Sequence, residues 1–145
     1  MKIVIGSDHG GFELKEKVKK LLSKHKCVDV GTCSTESCDY PDFALQVAEK
    51  VSAGNSIGII ICSSGVGVSI VANKVKGIRA ALCHNVFTAT KAREHVDANV
   101  LCLGQSVVGD ATEIVKAFID TKFSGEERHV RRVGMIKEIE KRYMK

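Results

Sequence analysis

Gly58 to Lys74, GIIICSSGVGVSIVANK, is the stretch whose reading decides the fold. It opens on Ile59-Ile60-Ile61 and its apolar run closes at Cys62. A short β-branched run of this kind suits a strand buried on both faces. Ser63-Ser64-Gly65-Val66-Gly67 then breaks the pattern, and Val68, Ile70, Val71 and Ala72 begin a helical face that runs to Lys74. Strand, tight turn and helix, in that order, aim backbone N–H groups and a helix N-terminus at one point above a sheet. Such a point attracts anions, including negative charge that develops during a reaction. Cys62 stands at its rim, where the same field favours a thiolate.

The same unit recurs on both sides. Lys2 to Gly6 reads as a first strand, ending in the polar turn Ser7-Asp8-His9-Gly10-Gly11, and a helix follows with Leu14, Val18, Leu21 and Leu22 on one face. Asp8 and His9 therefore fall at the C-terminal end of a strand, where open α/β sheets bind ligands; the competing readings are a helix N-cap and a turn residue. Lys26 to Val30 is strand two. The polar connection Thr32 to Asp42 holds the only proline, Pro41, which should keep Tyr40 extended. Tyr40 suits either a site or the packing of the loop base. Phe43 to Ala53 is an amphipathic helix stopped by Gly54. After the central unit come strand four (Arg79 to Cys83), a helix (Phe87 to His95), strand five (Asn99 to Leu103), a helix from Gly109 to Phe123 broken by Ser124-Gly125, and a last helix from Glu126 to Lys145. Alternation of β and α through five strands, with a helix to spare, predicts a parallel sheet covered by helices on both faces.

Composition narrows the class. The chain has 145 residues, 44% hydrophobic and 27% charged, which fits one soluble domain spanning 1–145. A net charge of +5 suits an anionic small molecule. The basic residues are scattered along helices, and Trp is absent, so no nucleic-acid surface is expected. No apolar run reaches the roughly 20 residues of a membrane span. The six cysteines (27, 33, 38, 62, 83 and 102) form no CxxC pair. All but Cys62 read as small buried hydrophobes, and free thiols in that number point to a reducing cytosol, hence a cytoplasmic protein.

Several chemistries are excluded by spacing. The turn after strand one lacks GxGxxG, Ile70 stands where a third glycine would follow Gly65 and Gly67, and Cys83-His84-Asn85 puts no acid at the end of strand four. No GxxxxGK[ST] is present, and Val68-Ser69 offers no arginine to close a cysteine-phosphatase loop. What remains is a thiol beside an anion-stabilising turn, with Asp8, His9 and His95 as proton carriers. Arg128 and Arg132, four apart on one face of the last helix, can clamp a phosphate. These parts suit proton transfer next to the carbonyl of a phosphorylated substrate. Taken alone, His95 is equally a helix C-terminal residue, and the arginines a solvated face.

SDHGGFELK (Ser7 to Lys15), DYPDFA (Asp39 to Ala44), ICSSGVGVSIVANKVKGIRA (Ile61 to Ala80), NVLCLG (Asn99 to Gly104) and ERHVRRV (Glu127 to Val133) closely resemble the type B ribose-5-phosphate isomerases. These stand with allose-6-phosphate and galactose-6-phosphate isomerases in one sugar-phosphate isomerase family. The resemblance covers essentially the whole chain. It implies a Rossmann-like three-layer sandwich with a five-stranded parallel sheet and an extra C-terminal helix. It also implies a homodimer, or a tetramer built from it, with active sites between subunits, and an aldose–ketose isomerase of the pentose phosphate pathway without metal or cofactor.

Carried over residue by residue, Cys62 resembles the base that removes the C2 proton, and Ser64 the hydroxyl that moves a proton between O1 and O2. The backbone N–H groups of Gly65, Gly67, Val68 and Ser69 would hold the enediolate oxygen. His95 resembles the ring-opening residue, with Asp8 nearby; His9, Arg128 and Arg132 resemble phosphate ligands, and Tyr40 lines the site. A glutamate base used in one branch would fall at Val68, so the resemblance implies the cysteine branch. The chain departs from the family at Ser63, usually glycine, at Val96, usually a sugar-binding asparagine whose contact would pass to Asp97 or Asn99, and at Gln105-Ser106, where an arginine is frequent. The reading is interconversion of D-ribose 5-phosphate and D-ribulose 5-phosphate. The alternatives are a six-carbon sugar phosphate, or a weakly catalytic sugar-phosphate-binding subunit.

Overall fold

A computed structural model describes residues 1–144. Five strands, β1 (Lys2–Ser7), β2 (Lys26–Asp29), β3 (Ile57–Cys62), β4 (Ala80–Leu82) and β5 (Val100–Gly104), form one parallel sheet in the order β2-β1-β3-β5-β4. Seven α-helices are present among the described residues: α1 (Phe12–Leu21), α2 (Tyr40–Ala53), α3 (Val66–Ala72), α4 (Val86–Val96), α5 (Gln105–Val108), α6 (Thr112–Asp120) and α7 (Glu127–Tyr143). A single 3₁₀ turn, His9–Gly11, joins β1 to α1.

The alternation of side chains along a strand builds two cores from one sheet. Ile3, Ile5, Ile59, Ile61, Leu101 and Leu103 face α1, α4 and α6, where they meet Leu14, Val18, Ala89 and Phe118. Val4, Ile60, Cys62, Val100 and Cys102 face the other way, against Val47, Val51 and Val68 of α2 and α3. All six residues of β3 are buried, as an apolar run covered on both sides must be. Each buried isoleucine contributes about 2 kcal/mol. This is the three-layer α/β sandwich that the pattern predicts.

The chain turns left from β1 to β2 and then right to β3, so β1 and β3 are neighbours at a topological switch point. Crevices open there, beyond the C-terminal strand ends. Ser7 pairs with Ile61 across that point, which places Asp8 and Cys62 side by side at its rim.

Two helix boundaries and the burial of several residues differ from expectation. The second helix begins at Tyr40, not Phe43; Pro41 sits in its first turn, where a missing N–H costs nothing, and the extended residue is Asp39 (φ −90°, ψ 114°) rather than Tyr40. The helix expected from Gly109 to Phe123 is shortened to Thr112–Asp120: Gly109, at φ 60°, ends the short α5 before it, and the Thr112 N–H donates to Asp110 Oδ1 at 2.9 Å. Ile70, expected on the inner face of α3, is 57% exposed; Val68 and Ala72 face inward instead. Cys33 is exposed and Cys27 and Cys38 only half-buried, because the strand-two edge and the following loop lack a covering layer. On α7, Val133 is buried, but Ile136 and Tyr143 are exposed in the single chain.

Candidate active site

The turn after β3 is held by its own small groups. Gly65 has φ 78°, and a Cβ on it would lie 2.5 Å from Leu82 Cδ1, so the position tolerates only glycine. Its N–H donates to Cys62 Sγ at 3.0 Å. The Val66 N–H donates to Ser64 Oγ at 3.2 Å, and the Ser69 N–H to the Gly65 carbonyl at 3.2 Å. A helix gives its first N–H groups no partner of its own, which leaves those of Gly67 and Val68 facing the space above the turn. Of the amides expected to serve as donors there, Gly65 and Ser69 are thus engaged within the chain.

Neighbouring elements line the same rim. Asp8 is buried, and its Oδ1 accepts from the Gly11 N–H at 3.1 Å, as an N-cap does. Gly11 packs so closely on the Ile61 carbonyl that no side chain fits. His9 Nδ1 accepts from the Cys38 N–H at 3.1 Å, so its proton resides on Nε2. Tyr40 lies over Gly67, where an added Cβ would come within 2.5 Å of the ring.

Two sequence departures meet here. The Ser63 and Ser106 hydroxyls lie 3.1 Å apart, and the Ser106 N–H donates to the Ser63 carbonyl at 3.0 Å. Gln105 Oε1 accepts from the Leu14 N–H at 2.9 Å, tying the start of α1 to the end of β5.

Behind His9, the buried Lys15 Nζ donates to Asp29 Oδ2 and to the Thr32 carbonyl, both at 2.6 Å. Lys19 reaches the same carboxylate at 2.9 Å. Burial alone would push Asp29 up, but hydrogen bonds from Lys15, Lys19 and the Gly31 N–H hold it below the ordinary carboxylate value. Burial raises the thiols of Cys27 and Cys102, and brings Cys83 up to about 11.

The remaining candidates lie at the other edge of the sheet. Helix α4 starts above the C-terminal end of β4 and returns to the start of β5, so its last turn, with His95, reaches the N-terminal edge. The six-residue β3 separates the two edges by about 17 Å at 3.3 Å per residue. His95 stacks on His129 of α7, with ring centroids 4.2 Å apart, and Arg128 and Arg132 flank His129 on exposed turns. Arg128 Nη1 pairs with Glu126 at 2.6 Å.

Asp97 and Asn99, expected near the sugar, are engaged by the fold. Asp97 takes φ 49° and pairs with Arg93 at 3.1 Å and Arg79 at 3.4 Å. Asn99 Oδ1 accepts from the Arg79 N–H and its Nδ2 donates to the Gly77 carbonyl, both at 2.8 Å. Val96 is 36% exposed, and its carbonyl accepts from Arg79.

One chain therefore brings together Asp8, His9, Tyr40, Cys62, Ser64, Gly65, Gly67, Val68 and Ser69, and separately His95, Arg128 and Arg132. Sequence reasoning gave no role to Lys15, Ser106 or His129. A fully buried lysine inside SDHGGFELK is a signal only once its helix face is known. The partners of Ser106 and His129 lie 43 and 34 residues away in the chain, beyond any local pattern. Among the described residues no cluster of three or more His, Cys, Asp or Glu is placed to hold a metal, and no helix is long and apolar enough to cross a membrane.

Known proteins share this fold. Residues 3–136 match the family model described as Ribose/Galactose Isomerase. Ribose-5-phosphate isomerase B of Escherichia coli is 44% identical, over 97% of this chain and 97% of its own length. The solved structure of ribose-5-phosphate isomerase B from Clostridium thermocellum is 53% identical and superposes with a TM-score of 0.95 over 99% of both chains. That of Mycoplasma genitalium ribose-5-phosphate isomerase B, solved with bound ribulose-5-phosphate, is 43% identical with a TM-score of 0.91, covering 97% of this chain and 96% of the other. The chain, through its residues 3–136, belongs to the ribose/galactose isomerase family.

Proposed function

We propose that the protein interconverts D-ribose 5-phosphate and D-ribulose 5-phosphate through a cis-enediolate, in a homodimer whose active sites join the two rims. The observation that carries this reading is the placement of Cys62. Its sulfur ends a buried strand at the switch point, receives the Gly65 N–H, and lies below the amides of Gly67 and Val68. The Cys62 thiolate takes the proton from C2 of the open-chain aldose. The C2 electrons form the C1–C2 double bond, and the carbonyl electrons move to O1. The Gly67 and Val68 amides stabilise the oxyanion. Ser64 shifts a proton between O1 and O2, and Cys62 returns its proton to C1.

Ring opening and phosphate binding use the other rim. His95 of the partner subunit delivers a proton to the ring oxygen, with Asp8 beside the C1 hydroxyl. His9 Nε2–H, with Arg128 of the partner subunit and Arg132 of the partner subunit, holds the phosphate. Two observations support the dimer. The two half-sites are too far apart in one chain to share a five-carbon substrate. A groove of about 350 Å³ between α7 and the β4 edge is also lined by Ile78, Ala80, Val96, Ile136 and Ile139. An apolar face of that kind suits a second copy.

The test is complementation. Cys62→Ala and His95→Asn chains are each prepared, then mixed, unfolded and refolded together. Each mixed dimer carries one site with both residues intact, so random pairing should restore about a quarter of the wild-type activity. No recovery, with mixed dimers demonstrated, would falsify a shared site. Ketose formation from ribose 5-phosphate and allose 6-phosphate, compared in the same assay, fixes the substrate; a preference for the six-carbon sugar overturns the assignment to ribose 5-phosphate.

A further inference from the structure

We infer that His129 is a positioning residue for His95: a buried imidazole that fixes the ring plane of the ring-opening histidine. The inference rests on the role of His95 proposed above. Three independent features carry it. His129 is 4% exposed although it lies in the first turn of a helix whose neighbouring residues Arg128, Val130, Arg131 and Arg132 are all exposed. Its ring lies 4.2 Å from that of His95 at an interplanar angle of 31°. Its Nδ1 is 2.6 Å from Ser124 Oγ.

The hydrogen bonds hold the ring in place. Ser124 Oγ accepts from the Glu126 N–H at 3.2 Å, so its own proton is available to His129 Nδ1. When Ser124 donates, Nδ1 accepts and the proton of a neutral His129 sits on Nε2. The serine is itself anchored, since its N–H donates to the Glu94 carbonyl at 3.1 Å, on the residue before His95. Arg93 adds a second strap, its Nε donating to the Thr121 carbonyl at 3.3 Å. The loop between α6 and α7 is thus laced to the last turn of α4, and His129 is the wedge between them.

Charge points the same way. Burial, then His95 and Arg128, hold His129 below the ordinary histidine value; Glu126 opposes them and Arg132 adds to them. Two adjacent imidazoliums would repel, which favours a neutral His129. A neutral aromatic face also stabilises a cationic ring lying on it. A catalytic imidazole must meet its target within hydrogen-bond reach and in line. The stack on His129 removes one rotational freedom from His95.

The experiment separates ring opening from enolisation. Ribose 5-phosphate binds as a ring; ribulose 5-phosphate, with O5 phosphorylated, cannot close one. Turnover of the aldose needs ring opening, while exchange of solvent deuterium into C1 of the ketose does not. His129→Ala should lower aldose kcat about tenfold or more, leave KM within about twofold, and leave deuterium exchange intact. His129→Phe, which keeps a flat face, should recover most of the loss, and Ser124→Ala, which frees the ring, should show a smaller loss of the same kind.

Undiminished aldose turnover in His129→Ala, or a parallel fall in both readouts, overturns the inference. If His129→Ala does not fold, the other two variants decide: unchanged turnover in Ser124→Ala, or a His129→Phe enzyme that folds but opens rings slowly, overturns it equally. His95→Asn is run alongside. If that variant loses both readouts together, the reading of His95 fails; if it splits them and the His129 variants do not, only the role of His129 fails.

Discussion

The Gly65 amide donates to the sulfur of Cys62 at 3.0 Å, so the proposed base and the turn that follows it are one hydrogen-bonded unit. Cys62 is only 6% exposed, whereas Cys33 is open to solvent. Alkylation of the native enzyme should therefore reach Cys33 before Cys62, and activity should fall with the slower event. Cys62→Ala should lower kcat by at least about 100-fold while sugar-phosphate binding, read by calorimetry, stays within a fewfold. Near-normal kcat in that variant would assign the base elsewhere.

Gly67 is glycine because Tyr40 lies on it. Gly67→Ala should push the ring off the start of α3 and lower kcat/KM. The overpacking should cost about 1–3 kcal/mol in stability. Combining it with Tyr40→Ala should restore much of the stability; thermal melts of the two single variants and the double variant give the coupling.

The pair Lys15–Asp29 makes stability depend on acid. Asp29 has its folded value below the unfolded one of about 3.9, so its contribution is complete above that pH and is lost as pH falls through the folded value. Acid titration of Asp29→Asn should be flatter than wild type below about pH 4. Lys15→Met should destabilise by about 3 kcal/mol at neutral pH, since the partner carboxylate stays half-buried with only Lys19 beside it. A neutral effect would mean that the ammonium is dispensable to the fold.

Arg128 and Arg132 are exposed in the single chain and one helical turn apart. Alanine at either should raise KM by about tenfold or more with a smaller change in kcat, because phosphate binding is remote from the reacting carbons. Inorganic phosphate inhibition should weaken in the same proportion. Unchanged KM in both variants removes them from the clamp.

Much of this was legible before any coordinates. Ile59-Ile60-Ile61 announced a strand covered on both faces, and the small residues after Cys62 announced the turn. A parallel sheet also dictates that a residue just after a strand and a residue just before the next lie on opposite rims, so Cys62 and His95 could have been separated on paper. The order β2-β1-β3-β5-β4 was not readable, because pairing between strands is decided by packing of whole faces. Gly109 and the early start at Tyr40 were misjudged because capping and a left-handed glycine override apolar periodicity. The stack of His95 on His129 was out of reach, since it joins two helices through a shape that neither encodes alone.

The Thr32 carbonyl is gripped by Lys15, and the Cys38 amide by His9. The connection from β2 to α2 is therefore clasped at both ends, and only the residues between the clasps hang clear. Lengthening it at Ser34 to Ser37 adds little closure entropy and disturbs neither grip. A fluorescent or affinity tag spliced in beside Glu36 would ride on the enzyme as an inert passenger, whereas one placed a few residues later, at Cys38, would unseat His9, the proposed phosphate ligand.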